Sequence, residues 1–314
     1  PGSAGTVAAA LVTGERGAIP EADKEALRAS GLAHILAISG LHMMLVVGTM
    51  FWVTRAAFAL SPGLALHRPI KKWAAAIALF GGAGYLMLSG ASIATQRAFI
   101  MAAIMLVAIL LDRPALTLRN VAVAAMIVLV LTPEALVTAS FQMSFAATVA
   151  LISAYEALRA SSANRPERAT PPWLGFIWRA AVGLVLTALI AGLATGPFAA
   201  FHFNRVAVYG LVANVAAMPL VSILVMPAGL AAVCLMPFGL EAPALVVMGL
   251  GIEGVLAVAD TVSGWEGAVR MVPQMQMAVL LVIVSGGLWL TLWRGGIRLM
   301  GLPVIAAGLA ATML

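Results

Sequence analysis

Long stretches without a single charged residue dominate this sequence. A segment needs about 20 mostly apolar residues to cross a bilayer. Apolar stretches occupy residues 34–54, 73–88, 98–111, 120–133, 135–155, 180–201, 206–240, 244–262, 271–293 and 299–314, and of these only 244–262 carries Asp or Glu, as Glu253 and Asp260. With 63% of 314 residues hydrophobic and 10% charged, against about 25% charged in ordinary globular chains, too few polar side chains remain to coat soluble domains. The sequence predicts an all-α fold, a polytopic membrane helical bundle of about nine to ten membrane segments, some of them broken or interfacial.

Charge placement sets an expected topology, because Lys and Arg collect in cytoplasmic loops. The basic connections are Arg68/Lys71/Lys72, Arg113/Arg119, Arg159/Arg165/Arg168/Arg179 and Arg294/Arg298, and even numbers of segments separate them. For residues 206–262 two readings satisfy that parity. Either 206–240 and 244–262 each cross once, or 206–240 forms a hairpin broken near Pro219 and Pro227 while 244–262 lies flat. Both start the segment around His34 and His42 on the non-cytoplasmic side. Residues 1–33 read as a membrane-surface segment, because Glu21–Ser30 patterns as a short amphipathic helix with an acidic first turn. Residues 34–314 then form the transmembrane domain, with a cytoplasmic loop near 156–179 whose linker composition divides the chain into halves. The single Cys234 closes no internal disulfide, and a start at Pro1 rather than Met suggests a piece of a longer protein.

Polar groups inside apolar runs are expensive and usually face protein or a wet cavity. They cluster in four places. His34 and His42 flank Ser39 and Gly40; a helix broken at Gly40 would aim free N–H groups at a passing anion, and the alternative is a histidine buried against a neighbouring helix. Ser89, Ser92, Thr95 and Gln96 lead into Arg97, which either serves the site or snorkels to headgroups. Ser140, Gln142, Ser144 and Thr148 share one stretch, where interhelical glue accounts for the hydroxyls better than for Gln142. His202, Asn204, Arg205 and Asn214 precede Pro219 and Pro227, whose missing N–H groups free backbone carbonyls beside a path or within a packed kink.

Enzymatic readings find little support. HExxH and GxxxxGK[ST] are both absent, and Ser39 with His42 has no oriented third group. No catalytic residue, metal ligand set or cofactor is expected in this chain.

The strings GLAHILAISGLHMMLVVG at 31–48, TQRAFIMA at 95–102, SFQMSFAATVAL at 140–151 and FNRVAVYGLVANVAAMPLVSILVMP at 203–227 together resemble the competence domain of the ComEC family, in order and over nearly the whole chain. Met43 and Met44 depart from that pattern, where a small or β-branched residue and glycine are expected. The resemblance implies a multi-pass channel of the bacterial inner membrane that admits single-stranded DNA to the cytoplasm during natural transformation. It implies as partners the DNA strand, membrane lipid, a DNA receptor and a cytoplasmic ATPase. It also implies an OB-like domain and often a metallo-β-lactamase-like domain elsewhere in a full-length chain.

A strand carrying one phosphate per nucleotide needs a wet path of neutral donors and few cations. His34, Ser39, His42, Gln96, Arg97, Gln142, His202, Asn204, Arg205 and Asn214 are the expected lining, with helix breaks at Gly40, Pro219 and Pro227. A small-molecule or ion transporter is the rival, and it would need Glu253 or Asp260 to bind a driving cation. A structural scaffold, the third reading, would let Gln142 and Asn214 become apolar without loss.

Overall fold

A computed structural model describes residues 2–36, 40–162 and 172–312. Each predicted apolar stretch contains helix. The helices are α1 (Ser3–Thr13), α2 (Glu21–Ala29), α3 (Ala33–Leu36), α4 (Gly40–Ala59), α5 (Pro62–His67), α6 (Ile70–Leu88), α7 (Ile93–Leu110), α8 (Leu118–Leu131), α9 (Ala139–Ser162), α10 (Pro172–Phe203), α11 (Gly210–Pro219), α12 (Met226–Leu235), α13 (Ala242–Ser263), α14 (Met277–Leu292) and α15 (Gly301–Ala311). Six helical segments among the described residues are long and apolar enough to cross a membrane: His42–Ala59, Ile93–Leu110, Ala139–Ala160, Gly175–Phe203, Gly210–Phe238 and Ala242–Ser263. α8, α14 and α15 fall short, since even the 16 residues of α14 reach only about 24 Å against a hydrocarbon core of about 30 Å. The protein is an all-α polytopic membrane bundle.

Two compact units divide the chain. The first comprises residues 1–133 and 212–268, the second residues 134–211 and 269–314. The linker expected from composition at 161–172 falls between α9 and α10, which belong to the same unit, and the helices extend into the wider loop expected at 156–179. α9 runs to Ser162 with Arg159 in its last turn, where a cation suits the helix dipole, and α10 opens on Pro172, a residue favoured at a helix start. Residues 163–171 lie outside the described ones.

In the first unit, α4, α6 and α7 pack around Met43, Val47, Ala75, Ala78, Ala98, Ala102 and Leu106. A Cβ on Gly82 would stand 2.8 Å from Val47 Cγ2, so α4 and α6 approach closely there. The basic connections that flank these helices meet at one end, where Lys72 Nζ lies 2.6 Å from Asp112 Oδ2.

Residues 206–240 form neither a hairpin nor a broken helix. α11 passes at Pro219 directly into a π-helical turn, Leu220–Val225, which continues into α12 with Pro227 as its second residue. The prolines change the helix type without interrupting it: a wider turn accommodates their missing N–H groups. α13 packs along this run, and Gly251 and Gly254 make room for Val225 and Leu220. The stretch 244–262 lies within α13, which is long and apolar enough to cross a membrane and buries Met248, Ile252, Val255, Ala259 and Val262 along one face.

The amphipathic α2 packs on α13. Leu27 borders the same small void as Ile252 and Val255, about 10 Å³ in volume, whose apolar lining offers water no hydrogen-bond partner. On its outer face the Arg28 and Lys24 cations hold the Glu21 carboxyl below the usual carboxylate range.

The second unit pairs α9 with α10 and α14 with α15, and a short antiparallel ribbon of β1 (Arg205–Ala207) and β2 (Val269–Met271) sets Arg205 opposite Met271. Its core gathers Phe198, Ala200, Met275, Leu280 and Ile283.

Candidate polar sites on the membrane helices

The first unit concentrates its buried polar groups where α6 turns into α7. Ser89 ends α6, its hydroxyl donating to the Leu86 carbonyl at 3.0 Å. The chain then reverses through Gly90 at φ 73° and Ala91 at φ 47°, the second a left-handed conformation that an alanine adopts only where its surroundings enforce it. Ser92 caps α7 by accepting the Thr95 N–H at 3.3 Å. Gln96 turns back to donate to the Ala91 carbonyl at 2.7 Å, which leaves it exposed as a brace for this turn. Arg97 follows at 6% exposure, immediately before the core residue Ala98.

α4 runs antiparallel to α6, since Val47 and Met50 face Gly82 and Gly81. That alignment sets the start of α4 beside the end of α6 and brings His42, fully buried at 0% exposure, to the end that holds Arg97. Arg97 is therefore enclosed in protein and does not snorkel. His34 on α3 is exposed, and both it and Arg16 lie within electrostatic reach of the His42 ring. Ser39 lies outside the described residues. Gly40 is the first residue of α4, and Asn214 is half-buried on α11.

The second unit joins two further expected residues directly. His202 Nε2–H donates to Gln142 Oε1 at 2.8 Å across 60 positions of sequence, which places the ring proton on Nε2. Gln142 is oriented in turn by its own donation to the Leu136 carbonyl at 3.0 Å. Phe201 and Phe203 flank the imidazole at centroid distances of 5.0 and 6.3 Å. Asn204, left-handed at φ 54°, turns the chain from α10 into β1, and its carbonyl accepts the Val272 N–H at 2.9 Å. Arg205 opens the ribbon. Replacing Gln142 by Leu strands the imidazole N–H and is expected to cost about 1–3 kcal/mol, read as a lower unfolding midpoint in detergent. Adding His202→Phe recovers part of that loss, and an unchanged midpoint in the single variant would show the bond to be idle.

Thr148 does not bridge helices. Thr148 donates to the Ser144 carbonyl of its own helix at 2.8 Å. Besides the Gln142–His202 bond, α9 is tied to other helices by Ser153, which donates to the Thr291 carbonyl at 2.8 Å, and by the Tyr155 hydroxyl, 2.6 Å from that of Thr187. Sequence reasoning missed both, and a hydroxyl on an apolar helix face was the available signal.

Glu253 and Asp260, seven apart on α13, line an open cleft of about 530 Å³ together with Gly2–Gly5 at the start of α1. Among the described residues no group of three His, Cys, Asp or Glu is placed to hold a metal ion.

No solved structure matches this chain. It is 25% identical over 234 residues to ComE operon protein 3 of Bacillus subtilis strain 168, covering 74% of this chain and 26% of that protein. It is 37% identical over 94 residues to Competence protein ComA of Neisseria gonorrhoeae, covering 30% and 13%. Recombination protein 2 of Haemophilus influenzae is 26% identical over 252 residues, covering 79% and 31%. The matched region thus spans less than a third of the length of each of these relatives. The Competence protein family model matches residues 11–296, nearly all of the helices and both polar sites, and by that match the chain belongs to this family.

Proposed function

We propose that the chain forms a channel in the bacterial inner membrane through which one strand of DNA reaches the cytoplasm during natural transformation. Family membership supports a role in DNA uptake, and the observation that carries the channel reading is Arg97, held at 6% exposure on an otherwise apolar candidate span. A guanidinium kept from water costs several kcal/mol and is retained where polyanion passage needs a cation. In this reading His34, Ser39, His42, Gln96, Gln142, His202, Asn204, Arg205 and Asn214 line or shape the path with Arg97. The chain itself carries out no catalysis and holds no cofactor. A DNA receptor and a cytoplasmic ATPase are the proposed machinery around it, and OB-like and metallo-β-lactamase-like domains are proposed for the rest of a longer chain.

The test is uptake of labelled DNA by cells lacking the full-length gene, with surface-bound and cytosolic label scored separately. Binding is expected to persist while cytosolic arrival stops; unimpeded arrival refutes the reading. A second reading, a cation-coupled transporter of small solutes, draws on the cleft beside Glu253 and Asp260. Cytosolic DNA arrival that depends on the gene and survives Glu253→Gln with Asp260→Asn supports the channel, whereas a small-solute carrier leaves DNA arrival unchanged when the gene is lost.

A further inference from the structure

Each unit carries, at one end of its helices, a surface that combines cations, tryptophans and highly exposed aliphatic side chains. In the first unit the Lys72–Asp112 ion pair ties the connection between α5 and α6 to the one between α7 and α8. Arg68, Lys71, Arg113 and Arg119 stand exposed around it, and Asp112 is the one acidic residue from 55 to 119. Leu60 and Leu66 in the same region are 85% and 80% exposed. Trp52 is exposed beneath the Arg55 guanidinium, 5.3 Å from the ring centre.

The second unit repeats the composition on unrelated sequence. Arg294 reaches Glu156 at 3.6 Å, and Arg298 lies in the turn between α14 and α15. Trp289 stacks on Trp293 at 5.0 Å and donates its indole N–H to the Ile297 carbonyl at 2.9 Å. Leu299 and Met300 of that turn are exposed.

Water alone does not suit such a surface, because it leaves whole leucine side chains uncovered. A nucleic acid would engage the cations and stack on the rings, yet leave Leu60 and Leu66 in water. An anionic bilayer surface satisfies all three groups: hydrocarbon covers the aliphatic side chains, indoles settle at the headgroup level, and the cations meet lipid phosphates. We propose that these two surfaces bind acidic phospholipid headgroups and so hold that end of each unit's helices at an anionic membrane leaflet.

Tryptophan quenching by brominated lipids tests this on the whole chain in mixed bilayers. Brominated phosphatidylglycerol is expected to be preferred over brominated phosphatidylcholine by about fivefold. The preference should fall toward unity in about 0.5 M salt, and in the variant Arg68→Gln/Lys71→Gln/Arg113→Gln/Arg119→Gln/Arg294→Gln/Arg298→Gln, which removes cations from both surfaces and keeps the Lys72–Asp112 pair. Equal quenching by both lipids overturns the proposal. So does a preference that survives both salt and substitution. Inorganic phosphate at matched ionic strength distinguishes headgroup from free anion: loss of preference beyond that caused by chloride reveals a phosphate pocket and refutes a membrane surface. Wild-type protein that binds an oligothymidine strand in neutral bilayers, with no lipid preference, overturns the proposal in favour of a nucleic-acid surface.

Discussion

Arg97→Leu lowers transformation at least about a hundredfold, equivalent to about 2.7 kcal/mol, while the protein still accumulates in the membrane. The two halves of this expectation rest on different physics. Leu fills much of the space of the arginine stem, and exchanging a buried cation for a well-packed apolar group is often neutral for a fold. The neighbouring turn is held by the Ser92 cap and the Gln96 brace. What disappears is the cation within the α6–α7 turn, where Ser89 and Thr95 are neutral. Arg97→Lys keeps the charge and loses the planar fork, so uptake falls between wild type and Arg97→Leu. Normal transformation by Arg97→Leu would remove the residue from the path. If both variants fail to accumulate, Arg97 is a packing element and the channel reading loses its main support.

The helices were legible because length and hydropathy are local properties. Residues 98–111 and 244–262 carry their own signal. Charge parity also foretold that basic connections share an end, as Lys72 with Asp112 and Arg294 near Glu156 now show within their units. Contacts set by tertiary packing were not legible. Gln142 and His202 each stand out as polar in an apolar run, yet nothing local says that 60 positions of chain bring them to 2.8 Å. Arg97 looks the same in sequence whether it snorkels or is buried, because its exposure depends on where α4 and α6 lie. Pro219 and Pro227 announced a disturbance without its kind, since a π turn and a break both accommodate a missing N–H and only the fit of Gly251 and Gly254 against that turn decides.

Gly301→Leu is expected to disrupt the α14/α15 hairpin, with a loss of about 3 kcal/mol or more and sharply reduced accumulation of intact protein. The two helices are 16 and 11 residues long, and within a membrane little besides close packing holds helices together. Here backbone meets backbone. A Cβ on Gly301 would overlap the Gly286 carbonyl oxygen and stand 2.9 Å from Leu290 N, and one on Gly286 would lie 2.8 Å from Gly301 O and 2.9 Å from Ile305 N. Side chains can rotate away from an intruder, whereas these atoms belong to helical hydrogen-bond ladders and move only if the helices part. Parting them would uncover Ile283 and Ile305, which help build the core of this unit, so the damage spreads beyond the hairpin. Gly287 supplies the control: it neighbours Gly286 in α14, but a Cβ there meets nothing within 4 Å, and Gly287→Leu should match wild type in both accumulation and unfolding midpoint. Equal behaviour of the Gly301 and Gly287 variants would mean that the hairpin does not depend on this close approach, whereas loss confined to Gly301→Leu ties the second unit to glycine at the crossing.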